Sequence, residues 1–223
     1  MANLITLGRL ALLFGTVALL FSGNYGLIVL SVVLIFVVFA GDALDGYVAR
    51  WRGSSSALGA VLDIAGDRIV ENVYWITFAQ LGLIGIWAPL LVLTRGFFVD
   101  ALRSVAYAAG RSAFGPNSMA RFPLTRFLTA SRFMRAFYGV AKLLGFLFLG
   151  ALVAARQDPG SALGRAYGSD ELRAPGWFMV YAALALTVIR GLPVVVDAMY
   201  YLRQPPSAHE EAQCPEGVEQ GRP

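Results

Sequence analysis

Apolar residues along this chain come in long, nearly unbroken runs, with polar positions gathered between them. LIVLSVVLIFVVFA fills positions 27–40, and IVENVYWITFAQLGLIGIWAPLLVL fills 69–93. Six such stretches can be drawn, at 4–22, 25–49, 57–82, 86–109, 134–156 and 175–201. Each reaches the roughly 20 residues that an α-helix needs to cross a bilayer. Short breaks separate neighbours, as at Ser22-Gly23-Asn24 and from Gly82 to Gly85, which suits antiparallel helical hairpins. Period-2 alternation is absent and the runs are too long for barrel strands, so the pattern predicts helices. The expected fold class is an all-α integral membrane protein of six transmembrane helices, forming one domain over 1–203.

Composition strengthens that reading. The chain is 57% hydrophobic and 14% charged, against about 25% charged in ordinary soluble domains. The first apolar run leads straight into further spans, so no cleavable signal peptide is expected. The tail from Gln204 (QPPSAHEEAQCPEGVEQGRP) is polar and proline-containing, and it reads as a disordered cytoplasmic tail. It holds the only cysteine, Cys214, and the only histidine, His209. Any metal in the membrane body must therefore be held by oxygen ligands, which suits magnesium, manganese or calcium and excludes the usual zinc sets.

Charge placement sets orientation. Arginines gather at 50–56 and 110–133, whereas the loop 157–174 balances Arg165 and Arg173 against Asp158, Asp170 and Glu171. The positive-inside rule then puts both termini on the cytoplasmic side. The expected location is a cell membrane, as in the inner membrane of a bacterium. The basic segment 110–135 reads as a surface against anionic headgroups. Membrane lipids are the expected surroundings, with no nucleic-acid partner.

Four of the eight aspartates fall within 26 positions: Asp42, Asp45, Asp63 and Asp67. A carboxylate at membrane depth costs roughly 2.5–3.5 kcal/mol on insertion scales, and such residues mark functional sites. Spacings of three and four put each pair on one helix face, and the short turn 51–56 brings the two helix ends together. Four converging carboxylates repel unless cations lie between them. Two ions about 3.5–4 Å apart would bridge them and stabilise the attacking and leaving oxygens of a phosphoryl-type displacement. Gly46 and Gly59 allow close approach of a ligand or a neighbouring helix. Arg50 is suited either to a diphosphate or to the interface.

The pattern Asp42-x-x-Asp45-Gly46-x-x-Ala49-Arg50, eight residues, then Gly59-x-x-x-Asp63-x-x-x-Asp67 resembles the signature of the CDP-alcohol phosphatidyltransferase family at every fixed position. The resemblance implies transfer of a phosphatidyl group from CDP-diacylglycerol to a small polar alcohol, with release of CMP. It implies that the four aspartates hold two Mg2+ or Mn2+ ions and that Asp67 is also the general base. Gly46, Ala49, Arg50 and Gly59 would line the CDP-lipid site, with a further nucleotide contact from Ser56. Thr6 and Arg9 match an Asn/Thr/Arg opening that borders the nucleotide pocket in many members. Dimers occur among relatives, so a homodimer is compatible with the family.

The acceptor is less legible. Arg95, Lys142 and Arg190 are cations inside later spans and are the candidates for an acceptor-phosphate pocket. Arg95 followed by Leu102-Arg103 is similar to the family's glycerol-3-phosphate enzymes, as in a phosphatidylglycerophosphate synthase-like member. The segment Gly139-Val-Ala-Lys142-Leu keeps only part of their Gly-Lys-x-Lys-Thr motif. Glycerol 3-phosphate is the leading acceptor, with an inositol phosphate or serine as alternatives. Serine needs no phosphate pocket, so the three cations count against it. Glu71 can serve either the aspartate site or helix packing. A divalent-cation transporter would place carboxylates at mid-membrane, on several spans or in a repeat; this chain clusters them at one face. A catalytically dead scaffold is disfavoured by the complete motif.

Overall fold

The computed structural model describes residues 2–52, 57–108 and 131–202. The expectations for Ser56, for the basic segment up to 130 and for the tail from 204 lie outside those residues. Every regular element among the described residues is helical: α1 (Ala2–Leu20), α2 (Tyr25–Arg52), α3 (Ala57–Gln80), α4 (Trp87–Ala108), α5 (Arg132–Gln157), α6 (Ala162–Ala166) and α7 (Asp170–Leu202). The six long helices coincide with the six apolar stretches to within a few residues. The short α6 was not legible, since five residues carry too little pattern.

The ends of the helices follow local chemistry. Gly23 and Gly82 take φ of +68° just past α1 and α3, a conformation that costs glycine little. The Asn24 side chain accepts from Leu27 N at 3.2 Å and opens α2, satisfying one of the amides that a helix start leaves orphaned. Ser161 does the same for α6 through Gly164 N at 3.0 Å. Helix α7 runs unbroken through Pro175 and Pro193.

The long helices pack neighbour to neighbour in the order α1, α2, α5, α7, α4, α3, and α3 returns to α1. The ring is filled at mid-height by aromatic side chains. Phe146 of α5 meets Trp75 of α3 edge-on at 4.9 Å, Tyr74 at 5.4 Å and Phe78 at 5.9 Å. Phe39 of α2 closes the cluster at 5.8 Å from Phe146. Such pairs add roughly 0.5–1.5 kcal/mol each beyond area burial.

Large apolar side chains also line the exterior. Phe14, Phe36, Ile64, Phe97, Leu144 and Phe178, one from each long helix, are all exposed. Phe133–Gln157 and Asp170–Pro193, with mean hydropathy 1.9 and 1.5, are long and apolar enough to cross a membrane. Thr6–Leu20 and Tyr25–Gly41 are shorter apolar helices. Charged positions such as Asp67, Arg68, Glu71, Arg95 and Asp100 interrupt the apolar runs of α3 and α4.

Candidate active site

Antiparallel connections bring the start of α1, the end of α2, the start of α3, the end of α4, the start of α5 and the end of α7 to one end of the ring. Nearly all the candidate residues lie there. Asp42, Asp45, Gly46, Ala49 and Arg50 are on the last turns of α2, and Gly59 and Asp63 are on the first turns of α3. Their backbone is helical as expected. Apart from Gly59, their side chains lie outside the described residues, and so does the four-carboxylate cluster.

Asp67 is described, and it is the pivot of the site. Arg9 Nη2 donates to Asp67 Oδ1 at 2.7 Å, joining α1 to α3. The arginine side chain is 3% exposed and the carboxylate 52%. Its hard oxygen ligands and open face fit a divalent cation of the kind the motif implies. Gly66 makes room for this pairing. A Cβ there would come within 3.0 Å of Thr6 Cγ2 and 3.2 Å of Arg9 Nη2. Thr6 and Arg9 are both buried, so the two N-terminal candidates stand directly against the aspartate helix.

One turn deeper along α3, Glu71 is buried and held at both oxygens. Tyr138 donates its hydroxyl to Glu71 Oε1 at 2.5 Å, and Lys142 Nζ donates to Oε2 at 3.2 Å. Thr187 of α7 lies 2.9 Å from the Tyr138 hydroxyl and donates to Ala183 O. The Lys142 ammonium sits 4.3 Å from the centre of the Tyr138 ring, and the Arg190 guanidinium carbon 5.1 Å from it. Arg95 of α4 crosses beside Gly191, where a Cβ would meet its Nε at 2.8 Å and its Cγ at 2.9 Å. At the rim, Arg68 pairs with Asp100 at 3.0 Å and ties α3 to α4.

The site therefore has two tiers, Asp67 with Arg9 above and a buried polar layer below. The structure brings Lys142 and Arg190 onto one tyrosine ring and sets Arg95 against the residue after Arg190. It also makes Lys142 an ion-paired residue, with Glu71 as its partner. Tyr138 and Thr187 escaped the sequence reading because neither is charged. Helical spacing held a signal for both: Tyr138 is four before Lys142, and Thr187 is three before Arg190.

The family model for CDP-alcohol phosphatidyltransferases matches residues 1–189. The chain belongs to that family. Among curated CDP-alcohol phosphatidyltransferase relatives, it is 35% identical over 85 residues to a phosphatidylinositol phosphate synthase of Mycobacterium marinum, covering 35% of this chain and 36% of that one. It is 36% identical over 96 residues to an archaetidylinositol phosphate synthase of Aeropyrum pernix, covering 42% and 47%. A putative cardiolipin synthase of Mycobacterium bovis matches at 33% over 116 residues, covering 50% and 52%. The matched stretches thus span about half or less of these relatives' lengths.

Proposed function

We propose that this chain is an integral membrane enzyme that transfers a phosphatidyl group from CDP-diacylglycerol to a phosphate-bearing small alcohol, with glycerol 3-phosphate as the leading acceptor. The observation that carries the reading is the two-tier arrangement along α3. Asp67, the candidate base, stands one helical turn from Glu71, which is bonded to Lys142. Residues four apart on a helix have Cβ atoms about 5–6 Å apart. A base and a cation cluster so close suit an acceptor with its hydroxyl at one tier and its phosphate at the other.

In the proposed reaction the acceptor oxygen forms a bond to the phosphatidyl phosphorus. The bridging phosphorus–oxygen bond breaks, and CMP leaves with the electron pair. Asp67 takes the hydroxyl proton. A free carboxylate, with a pKa of about 4, is a weak base, and general-base assistance of this kind contributes about 10²–10⁴. Two magnesium or manganese ions on Asp42, Asp45, Asp63 and Asp67 would supply positive charge for the departing phosphate. Arg9 holds Asp67 in place, and Thr6, Gly46, Ala49, Arg50, Ser56 and Gly59 would line the donor's nucleotide. Arg95, Lys142 and Arg190 would bind the acceptor phosphate.

The membrane reading extends to all six long helices, with both termini and the aspartate end in the cytoplasm. Apolar side chains on the outer face of every long helix support it, as does the arginine-rich character of the loops at that end. A soluble acceptor and CMP would then exchange with the cytoplasm while the donor's chains stay in lipid.

A second reading, an inositol phosphate acceptor, is favoured by the relatives named phosphatidylinositol phosphate synthase and archaetidylinositol phosphate synthase. The deciding experiment incubates the purified protein with CDP-diacylglycerol and, separately, glycerol 3-phosphate, inositol phosphate and serine. It reads CMP release and the lipid product. Release with glycerol 3-phosphate supports the first reading, release with inositol phosphate alone the second. No CMP with any acceptor, in the presence of magnesium or manganese, would sink both.

A further inference from the structure

Tyr138 touches four members of the buried polar layer at once. Its hydroxyl lies between Glu71 Oε1 at 2.5 Å and Thr187 Oγ1 at 2.9 Å. Its ring carries the Lys142 ammonium at 4.3 Å and the Arg190 guanidinium at 5.1 Å. The residue itself is only 9% exposed. Helices α3, α5 and α7 thus meet through one side chain that carries no charge.

Two cations gathered about one ring repel, and each would lower that repulsion by turning away. The negative face of an aromatic ring attracts both. A ring can hold cations in register only if it cannot itself swing, and here the hydroxyl end is held by its hydrogen bond to Glu71 of α3 and by its close contact with Thr187 of α7. Glu71 adds a second anchor for Lys142, at 3.2 Å. Lys142 is therefore located from two directions, by a carboxylate and by a ring.

We infer that Tyr138 is the positioning residue of the acceptor site: it holds Lys142 and Arg190 in the arrangement that receives the phosphate of the acceptor alcohol. The inference rests on the acceptor reading above. Tyr138 does no chemistry on the substrate and acts only through the two cations. Its hydroxyl and its ring have separable jobs, the first orienting the ring and the second holding the cations.

The test compares the purified full chain with its Tyr138→Phe and Tyr138→Leu variants. Lys142 is the only lysine, so its acylation by acetic anhydride, read by peptide mass spectrometry, reports on that one ε-amine. Steady-state kinetics with CDP-diacylglycerol and glycerol 3-phosphate give the second readout. Tyr138→Leu is expected to raise the acceptor KM about tenfold, as loss of desolvated cation–π contacts would, with the donor KM within about twofold. Lys142 should be acylated several-fold faster in that variant. Tyr138→Phe keeps the ring and should move both quantities in the same direction by a smaller factor.

A Tyr138→Leu variant with the parent's acceptor KM and acylation rate overturns the inference, and so does an equal rise in both KM values. If the leucine variant does not fold, the phenylalanine variant decides, and parental values there overturn it. Lys142→Ala run in parallel separates the two levels of the argument. Should it leave the acceptor KM unchanged, the acceptor reading fails. The acylation rate alone then decides whether Tyr138 positions Lys142, and an unchanged rate rejects that too.

Discussion

Arg9 and Asp67, 58 residues apart in the chain, form a 2.7 Å ion pair that fastens the first helix to the aspartate helix. The guanidinium is buried and the carboxylate is half exposed, so the arginine fixes the acid without enclosing it. A proton-accepting carboxylate needs that combination of a set position and access from the substrate side. Asp67→Asn keeps the shape and an acceptor oxygen for Arg9 while removing the charge. It should lower CMP release by about 10²–10⁴ in a protein that still folds and binds CDP-lipid, with a lower melting temperature because the buried Arg9 charge loses a counterpart. Turnover at the parent's rate would remove Asp67 from the base role.

Metal dependence is the second expectation. Four aspartates at these spacings would repel one another if their carboxylates converge, and their acceptor-only oxygens suit hard divalent ions. Chelation with EDTA should abolish CMP release, and added magnesium or manganese should restore it. Turnover unaffected by exhaustive chelation would contradict the two-ion reading.

Lys142→Ala should raise the acceptor KM about tenfold or more while the donor KM changes far less. Losing a charge-assisted hydrogen bond partner costs a ligand roughly 1.5–3 kcal/mol. The single variant also strands the Glu71 carboxylate in the interior, which lowers stability. The double variant Glu71→Gln/Lys142→Ala should therefore regain thermal stability without regaining acceptor affinity. Recovery of both would show that Lys142 matters only as a partner for Glu71.

Gly176→Ala probes the opposite end of the ring. A Cβ at Gly176 would run into the Phe148 ring. That ring is set edge-on against Tyr167 at 5.6 Å and Trp177 at 5.5 Å, and so has little room to yield. Overpacking of this kind costs about 1–3 kcal/mol. The melting temperature in detergent should fall, while both KM values of the folded fraction stay at parental levels. A shift in either KM would mean that strain at this end reaches the aspartate end.

The six long helices were legible because each is long, apolar and bounded by a glycine-containing or polar break. Asp42, Asp45, Asp63 and Asp67 stood out as candidates because carboxylates are conspicuous in an apolar chain and their spacing is helical. Glu71 was visible, but its partner was not. Lys142 lies 71 positions further along, and no local pattern links residues on α3 and α5. Tyr138 and Thr187 carried only the faint signal of their helical spacing from Lys142 and Arg190, for a related reason. Neutral hydroxyls in apolar helices are common, and only their neighbours in space make them a network.

By itself the sequence determined the helical class, the apolar stretches and the family motif, since each depends on residue type and spacing within one helix or one hairpin. Only the tertiary structure decided the order of the helices around the ring, the pairing of Arg9 with Asp67, and the gathering of Glu71, Lys142 and Arg190 about Tyr138. Those relationships come from how helices distant in sequence pack together. A buried charge in such a bundle is tolerable only where another helix supplies its counterpart.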